Sequence, residues 1–191
     1  MRIFGTILTT KDINSNSFNT LDKLKLHESL KKSKRDALIR YAFNFQDINI
    51  EKNFFGKPKL LNSNIHFNIT HSNNIILIAI DESPIGIDSE FVKPININYD
   101  FLSNYDKSYI NSSKKTDIAF FKLWVLKESF TKNIGLGMSL SFDSFYIDPN
   151  KMYIDFNNVR FFFKFYTKNN YLISVCSNKN KFPENIIWLS I

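Results

Sequence analysis

The sequence predicts an α+β fold made of two halves, residues 1–90 and 91–191. Strand-like alternation of apolar residues recurs in both halves, and each half also carries one long helical pattern. Between them, residues 92–106 are irregular, with Pro94 interrupting the pattern. Apolar residues make up 43% of the chain and aromatic residues 16%, unlike the aromatic-poor composition of disordered chains.

The first half opens with a strand and a helix. Residues 2–9 form a short apolar run that predicts the strand, and residues 21–45 predict the helix. Residues 53–58, which include the sequence F-G-K-P, predict a turn. The apolar residues near helical spacing are Leu24, Leu26, Leu30, Leu38 and Tyr41.

Residues 64–90 predict three strands, at 65–69, 75–80 and 85–90. The turns between them contain Asn73-Asn74 and the sequence D-E-S-P. Short connections of this kind join antiparallel neighbours, so we expect an antiparallel meander.

In the second half a long helix is predicted to begin near Thr116 or Asp117, either of which is a candidate N-cap. Gly135 and Gly137 are expected to end it. Strand patterns follow at residues 145–147, 159–166 and 171–175.

The charge balance indicates an anionic partner. The net charge is +7 and the isoelectric point is near 9.4. Nucleic acid, anionic lipid, a phosphorylated cofactor and an acidic protein all suit such a chain, and charge alone does not choose among them.

Cysteine content and hydropathy bear on location. Cys176 is the single cysteine, which excludes an internal disulfide, disfavours a Cys-based zinc site and suits a reducing cytoplasm. The apolar run at the start is too short for a signal peptide, and no stretch is long and apolar enough to span a bilayer. We therefore expect a cytoplasmic protein with no membrane partner.

Asp88 and Glu90 are separated by one residue on a predicted strand, so both side chains leave the same face. Two converging carboxylates suit a hard cation, and Mg²⁺ commonly binds one or two protein carboxylates together with phosphate oxygens. The alternative is a charged pair on the solvent face of an edge strand, which spacing alone favours.

Glu128 and Lys132 lie four residues apart on the predicted second-half helix, on one face and one turn apart. The simpler interpretation is a surface ion pair. Much of this helix is apolar, however, so Glu128 is expected near buried surroundings, where a carboxylate needs a cation. In the second interpretation Glu128 completes a metal site and Lys132 holds a phosphate.

His71 follows a predicted strand at a turn, between Thr70 and Ser72. A histidine in such a place is usually a hydrogen-bonded surface residue. With two hydroxyl neighbours it is also a candidate for a phosphate-binding cluster. The sequence has no glycine-rich phosphate loop, so side chains must hold any phosphate.

Three blocks of the chain carry a family resemblance: F-N-I-T-H-S at residues 67–72, G-I-D-S-E at 86–90 and W-V-L-K-E-S-F-T-K at 124–132. In this order they resemble the surfactin-synthetase-type 4′-phosphopantetheinyl transferases, whose signatures are F-N-[IL]-[ST]-H-[ST], G-[IV]-D-x-E and W-x-x-K-E-[SA]-x-x-K. Each match is modest alone, whereas the ordered set is highly specific. The turn at 55–58 and the segment 135–142 extend the similarity.

The resemblance implies two similar α+β halves packed side by side, with coenzyme A in the cleft between them. It implies an enzyme that transfers the 4′-phosphopantetheine arm of coenzyme A to a serine of an apo acyl- or peptidyl-carrier protein and releases 3′,5′-ADP. It also implies Mg²⁺ ligation by Asp88, Glu90 and Glu128. Pyrophosphate contacts are implied for Lys132 and His71.

The same comparison places further residues at the coenzyme. Arg35 would meet the 3′-phosphate and Lys57 would lie near the adenine. Thr70, as the neighbour of His71, is a further candidate for binding the phosphates. Lys31, Lys32 and Lys34 are candidates for additional phosphate contacts. Glu128 is the candidate base for the serine proton, directly or through a metal-bound water. Ser89 departs from the family pattern, which often has an apolar residue there.

Carrier proteins are usually acidic around the modified serine, so the positive net charge is expected to steer such a partner. Residues 105–115 are a candidate docking segment or, alternatively, a solvated loop. Because one chain supplies both sides of the cleft, the resemblance implies a monomer. The sequence does not identify the client carrier, whose pathway is fatty-acid, polyketide or non-ribosomal peptide synthesis.

Two hypotheses from other classes compete with this one. A basic nucleic-acid-binding module would bind random DNA in a salt-dependent way without turnover, but the sequence has neither a recognised DNA-reading helix nor an RNA-binding aromatic stripe. An inactive relative acting as a scaffold is disfavoured because the expected acidic residues and Lys132 are all retained. We expect no nucleic-acid partner.

Overall fold

The computed structural model describes residues 1–9, 20–44, 48–96 and 98–191, apart from the side chains at positions 20 and 138. Within these ranges the chain has a mixed α+β structure, as predicted. The helices are α1 (Thr20–Ala42), α2 (Asn104–Ser112) and α3 (Thr116–Ile134). The strands are β1 (Arg2–Ile7), β2 (Ile50–Lys52), β3 (Pro58–Leu60), β4 (His66–Ser72), β5 (Ile75–Asp81), β6 (Ile85–Phe91), β7 (Tyr153–Phe156), β8 (Val159–Lys168), β9 (Tyr171–Ser177) and β10 (Ile187–Leu189).

The described strands form two four-stranded sheets and one hairpin. The first sheet has the order β10-β1-β5-β4 and the second has the order β6-β9-β8-β7, while β2 pairs with β3. The pairing of β1 with β10 is parallel, and the other pairings are antiparallel. No described helix combines the length and apolarity that crossing a bilayer requires.

Helix α1 covers one face of the first sheet, and the second sheet covers the other. Strand β5 shows the consequence, because Ile76 and Ile78 pack with Leu38 of α1, whereas Ile75 and Leu77 pack against the second sheet. A strand buried on both faces reads as a continuous apolar run rather than an alternating one.

Helix α3 covers the remaining face of the second sheet, where its aromatic and aliphatic side chains form the largest core cluster with β7, β8 and β9. At Gly86 of β6 an added Cβ would overlap the backbone of Ser129 and Asn133. Glycine therefore permits a close approach of β6 to α3. The side chains that follow Gly86 on the same face of β6 are thereby brought against the helix.

The edge strands β4 and β6 lie side by side, and we call their junction the seam. In the described part of the chain they share no backbone ladder and are joined by side chains instead. Asn68 Oδ1, for example, accepts the N–H of Ile87 at 2.9 Å. The seam carries most of the candidate site residues.

Several predicted boundaries are confirmed. Gly56 has φ +85° in the turn between β2 and β3, and Asn73 has φ 45° between β4 and β5. Gly135 ends α3 in the left-handed conformation, and its N–H donates to Thr131 O. The helix predicted at 21–45 corresponds to α1, although residue 45 lies outside the described ranges.

The predicted three-stranded meander is wrong. β4 and β5 pair antiparallel as expected, but β6 leaves them and pairs with β9 in the second sheet. The turn at residues 81–84 therefore connects two sheets rather than two neighbours. Local alternation cannot distinguish these outcomes, since the pairing is decided by residues about 90 positions later in the sequence.

Other element predictions also need correction. The strand predicted at residues 145–147 is wrong, because these residues follow a short 3-10 turn and have no regular structure. Their apolar pattern reflects the burial of Phe145 and Ile147 in the core. Helix α2 lies largely in a region predicted to be irregular or a loop. The N-cap of α3 is Lys115, while the Asp117 carboxylate accepts the N–H of Ile95. Along α1, Leu24 is 59% exposed and so lies outside the apolar face.

Candidate active site

Asp88 and Glu90 share the face of β6 that meets α3. Lys132 Nζ of α3 lies 2.6 Å from Asp88 Oδ1, and Asp88 is 4% exposed. The same-face prediction is confirmed, and burial of Asp88 excludes a solvent-facing pair. In the described structure the ion pair of Lys132 is with Asp88, whereas the helical spacing suggested Glu128.

Hydroxyl groups of β4 reach across the seam to the same carboxylates. Thr70 Oγ1 donates to Asp88 Oδ1 at 3.1 Å, and Ser72 Oγ donates to Glu90 Oε2 at 2.9 Å. Lys132 Nζ also lies 3.4 Å from Thr70 Oγ1. Asp88 Oδ1 therefore has two donors.

Glu128 brings a third carboxylate to this group from α3. Burial raises its pKa, and the negative charges of Asp88 and Glu90 raise it further while Lys132 opposes the shift. Burial likewise raises the pKa of Glu90, with Asp88 adding to the effect. Burial also raises the pKa of Asp88, against the pull of Lys132. Three carboxylates thus lie within electrostatic reach of one another beside one ammonium.

This donor set fits a hard cation. Asp88 Oδ2 is buried and has no hydrogen-bond partner among the described residues, which is a costly state for a carboxylate oxygen unless a positive group meets it. The described residues contain no ready-made cluster of three or more His, Cys, Asp or Glu metal ligands. Oxygen ligands with room for phosphate oxygens and waters are nevertheless what Mg²⁺ requires.

A basic pocket adjoins the seam on the other side of β4. It has a volume of about 530 Å³ and is bounded by α1 and His71. Its polar lining consists of Glu28, Ser29, Lys31, Lys32, Arg35 and His71. His71 therefore faces away from Thr70 and Ser72, because successive strand residues alternate between faces.

The pKa of His71 is affected by charges in both regions. Burial lowers it first, and the positive charges of Lys31 and Lys132 lower it further. His71 thus lies within electrostatic reach of α1 and of the seam at the same time. An anion with several phosphate groups matches this arrangement.

Two other predicted lysines lie away from the basic pocket lining. Lys57 Nζ donates to the carbonyl oxygens of Asn133 at 2.7 Å and Ile85 at 3.2 Å, which ties the β2–β3 turn to α3 and β6. Burial lowers the pKa of Lys57 to about 8. Lys34 Nζ donates to Ile191 O at 2.6 Å.

Sequence reasoning gave no role to Lys127, the residue before Glu128. Its side chain is fully buried, with Nζ 2.9 Å from Asp106 Oδ2. The same ammonium donates to the carbonyl oxygens of Phe142 and Phe145 at 2.8 and 2.5 Å. The sequence S-N-Y-D at residues 103–106, which forms a capping box at α2, is the local feature from which Asp106 could have been recognised.

Comparisons with known proteins agree with this geometry. A model of the 4′-phosphopantetheinyl transferase superfamily matches residues 84–176, a range that contains Asp88, Glu90, Glu128 and Lys132. The chain is 34% identical to the 4′-phosphopantetheinyl transferase ffp of Bacillus subtilis over 172 residues, which are 81% of this chain and 77% of that protein.

Two further relatives give the same result. The 4′-phosphopantetheinyl transferase Sfp of Bacillus subtilis strain 168 is 33% identical over 173 residues, with 81% of this chain and 77% of that protein covered. The 4′-phosphopantetheinyl transferase gsp of Aneurinibacillus migulanus is 38% identical over 110 residues, 56% of this chain and 46% of that protein. With this identity over most of its length, the chain belongs to the 4′-phosphopantetheinyl transferase superfamily.

Proposed function

We propose that this chain is a holo-[carrier protein] synthase. It transfers the 4′-phosphopantetheine arm of coenzyme A to a serine of an apo acyl- or peptidyl-carrier protein and releases 3′,5′-ADP. The observation that carries the proposal is the group formed by Asp88, Glu90, Glu128 and Lys132 beside a basic pocket. Family membership supports the same reaction.

The proposed architecture is two similar halves, residues 1–90 and 91–191, with coenzyme A in the cleft at the seam. The support is that each of the two sheets is covered by a helix of its own, α1 or α3. The halves exchange strands, since β6 pairs in the second sheet and β10 pairs in the first. Such an exchange favours a monomer, because one chain then supplies both sides of the cleft.

The proposed cation is Mg²⁺, held by Asp88, Glu90 and Glu128. When bound, it would neutralise pyrophosphate charge and polarise the phosphorus that is attacked. Asp88 Oδ2, which is buried without a hydrogen-bond partner among the described residues, and the accumulation of three carboxylates support this assignment.

The chain's own cations bind the rest of the coenzyme in this proposal. Lys132 and His71 bind the pyrophosphate from opposite faces of β4, with Thr70 beside Lys132; Lys132 and His71 lie within electrostatic reach of each other. Arg35 binds the 3′-phosphate with Lys31 and Lys32, which line the same pocket. The turn that carries Lys57 lies near the adenine in this proposal, while the Lys57 ammonium donates to backbone carbonyl oxygens.

In the reaction the carrier serine oxygen attacks the β-phosphorus of coenzyme A. A new P–O bond forms, the bond from that phosphorus to 3′,5′-ADP breaks, and Lys132 stabilises the charge that grows on the leaving oxygen. Glu128 accepts the serine proton directly or through a water. Its half-buried position on α3, beside the carboxylates of Asp88 and Glu90, supports this role.

The proposed partner is acidic around its modified serine, which suits a chain of net charge +7. Residues 105–115, the candidate docking segment, lie mainly on helix α2. A cytoplasmic location is proposed because the single cysteine is free and buried.

The proposal is tested by replacing two of its carboxylates. We expect Asp88→Ala and Glu128→Ala each to abolish transfer while circular dichroism spectra stay like those of the wild type, since each removes a ligand that the others cannot replace. Glu184→Ala, at an exposed position outside the site, is the matched control. Transfer near the wild-type rate in either site variant would contradict the assignment.

A further inference from the structure

The hydroxyls of β4 face the carboxylates of β6 in matched order. Thr70 Oγ1 donates to Asp88 Oδ1 at 3.1 Å, and two residues later Ser72 Oγ donates to Glu90 Oε2 at 2.9 Å. Both strands have a side-chain period of two, so the spacing of the hydroxyls reproduces the spacing of the acids. His71, between them, faces the basic pocket instead.

Ser72 is fixed from a second direction. Its Oγ accepts the backbone N–H of Phe91 at 3.3 Å while donating to Glu90. The hydroxyl therefore accepts one hydrogen bond and donates another, and both of its partners lie on β6. A group held in this way restricts the rotamer of the side chain that it contacts.

The bonds also leave specific oxygens available. Thr70 and Lys132 both contact Asp88 Oδ1, so Oδ2 is left buried and without a partner in the described structure. Ser72 contacts Oε2 of Glu90, and Oε1 has no comparable bond among the described residues. Each acid is thus held by one oxygen and presents the other.

We propose that Ser72 is a positioning residue that orients the Glu90 carboxylate toward the cation site, as Thr70 does for Asp88. The inference rests on the proposed function, in which these acids are cation ligands. It assigns to Ser72 a role that acts through Glu90 and involves no contact with coenzyme A. Outer groups that orient ligands of this kind typically contribute about 10- to 100-fold to metal affinity.

The test measures cation binding directly as well as transfer. Wild type, Ser72→Ala and Ser72→Thr are titrated with Mn²⁺ and followed by electron paramagnetic resonance of the free ion, and Mg²⁺ binding is measured by calorimetry. We expect Ser72→Ala to bind both ions about 10-fold or more weakly, because Glu90 loses the bond that orients it. Ser72→Thr retains a hydroxyl and is expected to stay close to wild type.

Two controls separate a positioning role from a purely structural one. Ser63→Ala removes a hydroxyl that accepts the backbone N–H of Ile65 in an exposed turn. This variant is expected to leave cation binding unchanged. In transfer assays, raising Mg²⁺ should restore most of the rate of Ser72→Ala, whereas a misfolded variant would not be rescued.

The outcomes distinguish this inference from the proposed function. If the wild type binds the cation and Ser72→Ala binds it with the same affinity, the positioning role is overturned and the enzyme assignment stays intact. Equal weakening in Ser72→Ala and Ser72→Thr would also overturn it, because the hydroxyl would then be irrelevant. Absence of cation binding by the wild type would instead contradict the cation site itself and the inference that depends on it.

Discussion

At the scale of single residues, Lys132 has the most specific environment. Its ammonium contacts Asp88 and Thr70 and lies within electrostatic reach of His71, and in the proposed function it neutralises charge on the leaving group. We expect Lys132→Ala to lower the transfer rate by roughly 10²–10³, the usual cost of removing a donor to developing charge. Lys132→Arg should retain partial activity, since charge is kept while geometry changes. Similar rates for all three proteins would return Lys132 to a structural role.

Lys57 gives a pH dependence of stability. Its pKa falls from 10.5 to about 8 in the folded chain because burial disfavours the ammonium. Between these values the unfolded chain binds more protons, so this residue's contribution makes the free energy of unfolding rise as pH increases from about 8 to about 10.5. We expect a rise of about 1–3 kcal/mol relative to Lys57→Met, measured by urea denaturation. Parallel pH profiles for the two proteins would contradict the lowered pKa.

The sequence predicted the acidic pair well and its neighbours less well. The common face of Asp88 and Glu90 follows from the strand period, which is a local property. The partners of Lys132 and Lys57 are set by contacts between residues 44 and 76 positions apart, and no local pattern contains that information. The same holds for Lys127, whose neighbour Glu128 was recognised while its buried partner was not.

At the scale of elements, the Lys127–Asp106 pair joins α3 to α2 in a fully buried setting. Removing one partner of such a pair leaves an uncompensated charge, so we expect Lys127→Met to cost about 3–5 kcal/mol of stability. Lys127→Met combined with Asp106→Leu should be more stable than Lys127→Met alone, since no charge is then left buried. Chemical denaturation checks both, and a Lys127→Met variant as stable as the wild type would contradict the buried pair.

Elements with strong local patterns were predicted correctly, among them α1, α3 and the turns at Gly56, Asn73 and Gly135. The errors occurred where tertiary contacts decide. β6 pairs with a distant strand, and the alternation at 145–147 reflects burial of Phe145 and Ile147 in the core beneath α3. Helix α2 is short, and its capping box, the buried pair with Lys127 and the burial of Ile110 in the core stabilise it.

At the scale of the whole molecule, the two sheets pack face to face while their edge strands β4 and β6 lie side by side, and the candidate site residues are concentrated at that junction. Side-chain hydrogen bonds take the place of a backbone ladder there, so the residues that join the sheets are also those that hold the carboxylates. The basic pocket of α1 lies on one side of the seam and α3 on the other. Fold and site are therefore built from the same contacts.

The proposed reaction of this arrangement is the transfer of phosphopantetheine to a carrier protein. The most direct measurement is the intact mass of apo acyl- and peptidyl-carrier proteins after incubation with the chain, coenzyme A and Mg²⁺, with 3′,5′-ADP quantified in the same samples. We expect at least one carrier to gain the mass of a single phosphopantetheine group, with equimolar release of 3′,5′-ADP and loss of both when the divalent cation is chelated. Carriers of every tested kind that keep their apo mass, while an established transferase modifies them, would contradict the claim.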